Sequence, residues 1–147
     1  MTKVSEIMTR DPSTLAPSST LGEAATIMKQ EDCGSVPIVE DGRLVGIVTD
    51  RDIVVRAIAA GKDPRSCPVA EVMSADPVTV SPDASADEAS KIMADRQIRR
   101  LPVVDGKKLV GLVAIGQLAR SDEDAEAGET IKEISEPRTG RGSHARG

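Results

Sequence analysis

The sequence contains no phenylalanine, tyrosine or tryptophan among its 147 residues. Proteins usually hold single-stranded nucleic acids by stacking bases on aromatic side chains, so this mode of binding is excluded. Any base that the protein holds must lie between aliphatic side chains and be read by backbone groups. The core must likewise be built from valine, isoleucine, leucine, methionine and alanine.

Residues that ligate metals are also scarce. The only histidine is His144, and the two cysteines, Cys33 and Cys67, form no CxxC motif. The sequence therefore predicts neither a disulfide framework nor a structural zinc site. For Cys33, an unreactive buried thiol is favoured over a redox sensor, because no base or cation neighbours it in the sequence.

Other absences narrow the class of protein. No apolar run is long enough to span a bilayer, and residues 1–8 lack the apolar run of a signal peptide, so we expect a cytoplasmic protein without a membrane partner. The net charge of −5 argues against general nucleic-acid binding. Because the sequence shows no P-loop, nucleophile–base pair or metal-ligand cluster, we do not expect an enzyme.

The most informative feature present is an internal repeat. Residues 4–53 align with residues 69–118 without a gap, and 17 of the 50 pairs are identical. Shared marks include an Asp-Pro-x-Thr motif, an Ile-Met pair in the predicted helix and a Leu-Val-Gly run. A repeat of this length is one supersecondary unit that buries its apolar face against a neighbour.

Each copy predicts the same order of elements. A short apolar turn is ended by Asp-Pro, since the residue before proline avoids the helical region. A short extended piece, a helix with a capping-box start, two β-strands joined by an Asp-Gly turn and a closing helix follow. We therefore predict an α/β fold of two β-α-β-β-α repeats, packed sheet to sheet and related by a pseudo-two-fold axis.

The repeat sets the expected domain limits. Residues 4–60 form the first repeat, 61–68 a linker rich in turn-forming residues, and 69–125 the second repeat. Residues 126–147 are expected to be a C-terminal extension, largely a disordered tail.

The two copies strongly resemble the CBS (cystathionine β-synthase-type) domain. In the first copy the likeness lies in Val36–Val39 and Gly46–Ile53, and in the second copy in Leu101–Val104 and Gly111–Ala114. Together they resemble a tandem pair, and the segment from Val48 to Pro64 is similar to small stand-alone bacterial pair proteins, some of them associated with stress or dormancy.

The resemblance implies a regulatory module without catalytic activity. Members bind adenine nucleotides or S-adenosyl derivatives in the cleft between the repeats, and they commonly form homodimers. The implied ligand is ATP, ADP, AMP or S-adenosylmethionine, with no required cofactor and no metal. An unidentified effector protein is a further expected partner, because the chain carries no effector domain of its own.

Thr49 and Asp52 lead the candidate binding residues. A carboxylate at a strand-to-helix junction can accept two hydrogen bonds from a ribose diol, and Thr49 can add a hydroxyl. By spacing alone, these residues and Asp50 could equally be helix caps or first-turn acids. The match to the family motif favours ligand binding, and we include Arg51 between them in the candidate set.

The second copy departs from this pattern, because Ala114 and Gln117 stand in place of Thr49 and Asp52. A diol-binding carboxylate is therefore missing there, and a neutral amide makes weaker contacts. We expect one good site and one weak or empty site.

Further candidates come from both copies. Arg99 and Arg100 precede a strand, and arginine suits phosphate because its planar fork donates two bonds. The resemblance implies that they approach the nucleotide held by Thr49 and Asp52, and a solvated edge or an inter-subunit salt bridge is the alternative. The remaining candidates are small or apolar residues that could border a base, although the two isoleucines could equally be core: Gly34, Ser35, Ile47, Ser81 and Ile98.

Two functions stay open on the sequence. The first is a ligand-sensing regulatory protein that signals through a homodimer or a partner. The second is a structural dimerisation module without ligand, which the altered second motif favours. Dimerisation is expected through helix faces such as Ile53, Val54, Ala57 and Ile58.

Overall fold

A computed structural model describes residues 1–119 of the chain. The predicted C-terminal extension, residues 126–147, and the predicted end of the last helix near Ala125 lie outside these residues. The chain divides into two compact units. Residues 13–77 form the first unit, and the second unit combines residues 1–12 with residues 78–119.

The long helix, the two hairpin strands and the closing helix follow one another in the predicted order in both copies. In chain order the elements are α1 (Val4–Ile7), β1 (Thr9–Arg10), α2 (Leu21–Glu31), β2 (Ser35–Glu40), β3 (Arg43–Thr49), α3 (Asp50–Asp52) continued by a π-helix (Ile53–Ile58), a 3-10 turn (Val69–Glu71), β4 (Ser74–Ala75), α4 (Ala86–Arg96), β5 (Arg100–Asp105), β6 (Lys108–Ala114) and α5 (Ile115–Ala119). This confirms the predicted α/β fold class.

Both units have a three-stranded antiparallel arrangement. In the first unit β3 pairs with β2 on one side and with β4 on the other. In the second unit β6 pairs with β5 and with β1 in the same way. Each short strand, β1 or β4, therefore completes the unit that carries the other sequence repeat.

The predicted extended pieces are single-residue bridges. Leu15 bridges Ile38 in the first unit, and Val80 bridges Val103 in the second, both in parallel. The two-residue strands β1 and β4 were not predicted, because a strand of that length has no periodicity to detect. Each is followed directly by an aspartate, Asp11 or Asp76, which adopts a positive φ angle of 51° or 52° before proline.

Helix α2 begins with the predicted capping box, whereas α4 has only the bond to the Ser85 hydroxyl and lacks the predicted return bond from Glu88. The Thr20 hydroxyl accepts the Glu23 N–H at 3.2 Å, and the Glu23 carboxylate accepts the Thr20 N–H at 3.1 Å. In the second unit the Ser85 hydroxyl accepts the Glu88 N–H at 3.0 Å. These bonds satisfy donors that would otherwise lack partners in the first helical turn.

The two hairpin turns differ. In the first unit Asp41 and Gly42 both have positive φ, 53° and 80°, as a type I′ turn requires. In the second unit Asp105 still pairs with Lys108, so the turn consists of Gly106 and Lys107. The prediction that Asp105 itself forms the turn was therefore wrong by one residue.

Each unit has its own apolar core. The first is built around Leu21, Val36, Ile38 and Val48, and the second around Val4, Met93, Leu101 and Val113. All eight side chains are at most 1% exposed. Aliphatic side chains and methionine, with Cys33 and Cys67 in the first unit, therefore fill the two cores without any aromatic residue.

The repeated glycines and methionines pack against each other. A Cβ built on Gly46 would lie 2.6 Å from the Met73 sulfur and 3.0 Å from the Ser74 carbonyl oxygen. A Cβ on Gly111 would lie 2.9 Å from the Thr9 carbonyl oxygen and would also clash with Met8. The matched Leu-Val-Gly runs thus keep room for the short strands β4 and β1.

The predicted apolar face of the helix after β3 needs a correction. Ile53 and Ala57 face the core of the first unit and are 9% and 0% exposed. Val54 and Ile58 are exposed as predicted, at 58% and 50%, and Val55 joins them at 48%. The prediction was wrong for Ile53 and Ala57, because this helical segment packs one of its apolar faces against the core of the first unit.

Candidate ligand-binding site

Thr49 and Asp52 meet where β3 passes into α3. The Thr49 hydroxyl accepts the Asp52 N–H at 3.0 Å, and the Asp52 Oδ2 atom accepts the Thr49 N–H at 3.0 Å. The pair therefore forms a capping box, the role that the sequence left open beside ligand binding. Asp50 is exposed and bonds the neighbouring Arg51 N–H through its own carboxylate.

The cap engages only one oxygen of the Asp52 carboxylate. Oδ1 lies 3.9 Å from Nη1 of Arg56, whose guanidinium donates to the Val72 carbonyl oxygen at 3.1 Å. The Asp52 side chain is 16% exposed. Within residues 1–119, Oδ1 accepts no hydrogen bond, so a rigidly held carboxylate oxygen can still accept one from a ligand hydroxyl.

Gly34 and Ser35 lie across the hairpin from this cap. The Gly34 carbonyl oxygen accepts the Asp50 N–H at 2.9 Å, and Ser35 is the register partner of Thr49. Both residues are buried, and Ser35 Oγ has no hydrogen-bond partner in the described part of the chain. The structure thus brings four predicted site residues together at one end of the β2–β3 hairpin.

The other two candidates of the first unit differ in exposure. Arg51 is exposed on α3, one residue before Asp52. Ile47 is half-buried in β3, where its register partners are Pro37 and Ser74. It is two residues from Thr49 and therefore on the same face of the strand.

The second unit replaces the carboxylate by an amide that is bonded at both ends. Gln117 Oε1 accepts the Ala114 N–H at 2.7 Å, and Gln117 Nε2 donates to the Thr9 hydroxyl at 2.9 Å. Ala114 has no hydroxyl that could accept a helical N–H, as the Thr49 hydroxyl does in the first unit. At the predicted weak site, both polar atoms of the Gln117 side chain are therefore already bonded within the second unit.

Arg99 and Arg100 lie next to this amide cap within the second unit. The Arg99 carbonyl oxygen accepts the Ile115 N–H at 2.8 Å, and Arg100 is the register partner of Ala114. Both arginines are half-buried. They occupy the positions that Gly34 and Ser35 hold in the first unit, so one unit presents small residues and the other cations.

Ser81 and Ile98 have local roles. The exposed Ser81 hydroxyl accepts the Asp83 N–H at 3.1 Å in a turn before α4. Ile98 is half-buried and packs against the core of the second unit.

Both cysteines are buried free thiols, each 6% exposed. Burial raises the pKa of the Cys67 thiol, and the nearby Glu71 carboxylate raises it further. Glu71 also bonds Lys62 at 3.0 Å, and this bond lowers the pKa of Glu71 and raises that of Lys62. Cys67 is therefore poorly suited to form a reactive thiolate.

Sequence reasoning missed Thr9 and Arg56. Thr9 lies 108 residues from Gln117 along the chain, and no local pattern indicates such a pair. Arg56 is four residues after Asp52 in the helical segment, so the i, i+4 spacing could have suggested their ion pair.

A family comparison identifies the repeat. Residues 4–58 and 69–124 each match the CBS domain. The chain belongs to the CBS domain family. It contains two copies, as the repeat predicts, and the pair accounts for most of its length.

Relatives and solved structures agree with this assignment. The chain is 46% identical over 136 residues to a CBS domain-containing protein, YhcV, of Bacillus subtilis, with 92% of this chain and 96% of the relative covered. It is 35% identical over 138 residues to Hypoxic response protein 1 of Mycobacterium tuberculosis, with 93% and 96% covered. The solved CBS domain pair of protein MJ0100, in complex with 5′-methylthioadenosine and S-adenosyl-L-methionine, is 30% identical with a TM-score of 0.72, and 84% and 97% are covered.

Another similar structure carries metal. Hypoxic Response Protein I, solved with two coordinated zinc ions, is 36% identical with a TM-score of 0.76, and 82% of this chain and 98% of that one are covered. In residues 1–119 of the present chain, no group of three or more histidine, cysteine, aspartate or glutamate side chains could hold a metal ion. The helices in that same range include none that is long and apolar enough to cross a membrane.

Proposed function

We propose that the protein is a ligand-sensing regulatory CBS pair that binds one adenosyl compound through Thr49 and Asp52. The carboxylate would accept hydrogen bonds from the ribose diol, and the small residues Gly34 and Ser35 would let the ligand approach the backbone. ATP, ADP, AMP and S-adenosylmethionine are the candidate ligands. The response would pass through a homodimer or a separate effector protein.

The main support for this proposal is that, within residues 1–119, only Oδ2 of the Asp52 carboxylate accepts a hydrogen bond. The cap fixes its orientation through Oδ2, so ordering it for a ligand requires little further loss of side-chain freedom. Hydrogen bonds to a charged acceptor contribute about 1.5–3 kcal/mol each. The relative that was solved with two adenosyl compounds supports the choice of ligand class.

Arg99 and Arg100 supply the phosphate contact in this proposal. Both residues are half-buried and Nη2 of Arg99 is buried, and burial strengthens the interaction of a guanidinium group with a phosphate relative to a fully solvated cation. If they act in this way, ATP and ADP bind more tightly than adenosine, and the difference shrinks at high salt.

A structural dimerisation module without ligand is the second candidate. The capping box favours it, because Thr49 and Asp52 already form hydrogen bonds to each other without any ligand. Under this alternative Thr49 and Asp52 would serve only to begin a helix.

The exposed side chains of Val54, Val55 and Ile58 form the proposed homodimer surface under either candidate. All three are about half exposed in a single chain, and a second copy would remove them from water. Ile58→Lys should therefore shift the protein towards monomer in light scattering after size-exclusion chromatography. Unchanged mass would contradict this surface.

Calorimetric titration with the four candidate ligands tests the function. Asp52→Asn is the informative variant, because an asparagine oxygen can still accept the Thr49 N–H while the charge is lost. Asp50→Asn removes the same charge from an exposed neighbour and is the matched control.

The expected result is binding of at least one adenosyl compound, weakened about 10- to 100-fold by Asp52→Asn, as loss of a charged acceptor predicts. Asp50→Asn should bind as the wild type does. No binding of any candidate, with no thermal shift at saturating ligand, would favour the dimerisation module.

A further inference from the structure

Arg56 lies between two groups of the first unit that are separate in the sequence. Its Nη1 atom is 3.9 Å from Oδ1 of Asp52, four residues earlier. The same atom donates a hydrogen bond at 3.1 Å to the carbonyl oxygen of Val72, 16 residues later. The Arg56 side chain is half exposed, whereas Val72 is buried in the core of the first unit.

The Val72 carbonyl belongs to a segment with many backbone hydrogen bonds. Val72 and Met73 both donate their N–H groups to the Val69 carbonyl oxygen, at 3.1 and 2.8 Å, and so end the 3-10 turn. Val69 is itself anchored, because its N–H donates to the Ser19 carbonyl oxygen at 2.7 Å. Strand β4 follows directly after Met73. Arg56 therefore holds the carbonyl at the point where this turn passes towards β4.

This segment is also the path by which the chain leaves the first unit. Residues 13–77 form that unit, and the chain continues into the second unit at residue 78. Between the 3-10 turn and this boundary, Met73 packs closely beside Gly46 of β3, and β4 pairs with the same strand. A displacement at Val72 would therefore reach both β3 and the place where the chain enters the second unit.

We propose that Arg56 is a positioning residue that couples the charge of Asp52 to the 3-10 turn at Val69–Glu71. The carboxylate attracts the guanidinium group and keeps Nη1 within reach of the Val72 carbonyl oxygen. A hydroxyl group that donates to Oδ1 would share the negative charge and weaken this attraction, so the turn would loosen. This last step rests on the proposed function, because it requires a ligand at Asp52.

The two distances indicate the size of each contact. At 3.1 Å the bond to Val72 is a charge-assisted hydrogen bond, which is one of the stronger kinds. At 3.9 Å the pair with Asp52 is too long for a hydrogen bond and is a Coulomb attraction between partly solvated groups. Loss of the first should change a local equilibrium about tenfold, and loss of the second about twofold. Arg56 should thus hold the turn, and the charge of Asp52 should modulate that hold.

Amide hydrogen exchange measured by nuclear magnetic resonance tests the coupling without any ligand. In Arg56→Gln the amides of Val72 and Met73 should exchange about tenfold faster, because the Val72 carbonyl loses its charged partner. In Asp52→Asn they should exchange about twofold faster, while an asparagine oxygen can keep the helix cap. Asp50→Asn removes the same charge from an exposed neighbour and should change neither amide.

The double variant decides whether the two side chains act through one contact. If Arg56 carries the effect, adding Asp52→Asn to Arg56→Gln should cause no further change at Val72 or Met73. Additive effects, or an unchanged exchange rate in Arg56→Gln, would overturn the coupling. Far-ultraviolet circular dichroism checks that each variant is folded.

Exchange in the presence of ligand separates this inference from the proposed function. With whichever of ATP, ADP, AMP and S-adenosylmethionine binds, saturating ligand should speed exchange at Val72 and Met73 about twofold in the wild type and leave it unchanged in Arg56→Gln. Binding without faster exchange in the wild type would overturn the step that a ligand drives. If none of the four binds, the proposed function fails, and the ligand-free double variant still decides whether Arg56 couples Asp52 to the turn.

Discussion

The two units share their elements and register but differ at the junction between the last strand and the closing helix. In the first unit Thr49 and Asp52 cap the helix reciprocally and leave one carboxylate oxygen unbonded within the described residues. In the second unit Gln117 caps it from one side and bonds Thr9 with its other end. The same fold thus has a charged hydrogen-bond acceptor in one copy, and in the other copy an amide whose two polar atoms are bonded to Ala114 and Thr9.

This difference shows which parts of a repeat are constrained by folding. Glycine at 46 and 111 is shared because β4 and β1 pass too close for a side chain. The junction residues are free to diverge, because either a carboxylate or an amide can accept the first helical N–H groups. Divergence there changes what the unit can bind while the fold is kept.

The largest expected effect is on stability, and it should appear in both units. Gly46→Ala and Gly111→Ala should each destabilise the protein by about 1–3 kcal/mol, because the added methyl group overpacks a strand contact. The loss should be at least as large for Gly111→Ala, since the Thr9 carbonyl is only 2.9 Å from the new Cβ. Denaturant unfolding followed by circular dichroism measures this.

Gly22→Ala provides the matched control. Its Cβ would meet the Pro64 carbonyl oxygen at an ordinary 3.5 Å, and alanine favours a helix over glycine by up to about 1 kcal/mol. We expect it to be neutral or stabilising. Equal destabilisation by all three substitutions would contradict the packing explanation.

The next effect concerns the starts of α2 and α4. Thr20→Ala and Ser85→Ala should each lower stability by about 1 kcal/mol through loss of a cap. The units should differ at the third helical residue: Glu23 returns a hydrogen bond to Thr20, so Glu23→Ala should be more costly than Glu88→Ala. Denaturant unfolding measures both variants. Equal losses of stability in Glu23→Ala and Glu88→Ala would argue against a reciprocal cap that is present only in the first unit.

The smallest effect is a pH dependence confined to the first unit. The bond from Lys62 lowers the pKa of Glu71, so the ion pair stabilises the fold above the usual titration range of glutamate and is lost as the pH falls through the lowered value. The raised pKa of Lys62 means that the contribution is also lost in strong alkali. Between these two pH limits, the melting temperature of Glu71→Gln should be slightly lower than that of the wild type.

The melting difference between the wild type and Glu71→Gln should vanish in acid. Lys62→Gln should lower the melting temperature as much as Glu71→Gln does. The double variant should melt at the same temperature as either single variant, because each substitution removes the same ion pair. An additive double variant would show that the two side chains act separately.

The sequence predicted most of the fold because each main helix and strand is indicated separately in both copies of the repeat. Matching copies identified both long helices, all four main strands and the hairpins between them. What it could not predict was pairing over long sequence distances, such as Thr9 with Gln117 or β4 with β3. Those contacts depend on which strand of the folded unit lies next to which, and no local period encodes that.

The site was predicted in part. The sequence named Thr49 and Asp52 and noticed that Ala114 and Gln117 differ, but a cap and a ligand contact require the same residue types at the same spacing. Only the geometry separates the two oxygens of Asp52, one bonded to Thr49 and one left for another partner. That Asp52 binds a ligand stays a prediction.

The most direct test of this asymmetry is the number of molecules bound per chain by the wild type and by Asp52→Asn, measured by native mass spectrometry with whichever of ATP, ADP, AMP and S-adenosylmethionine binds most tightly. We expect one molecule per wild-type chain and a clearly lower occupancy of the variant at a ligand concentration that just saturates the wild type. Two molecules bound by the wild type, or equal occupancy of the variant, would contradict a single site that depends on Asp52.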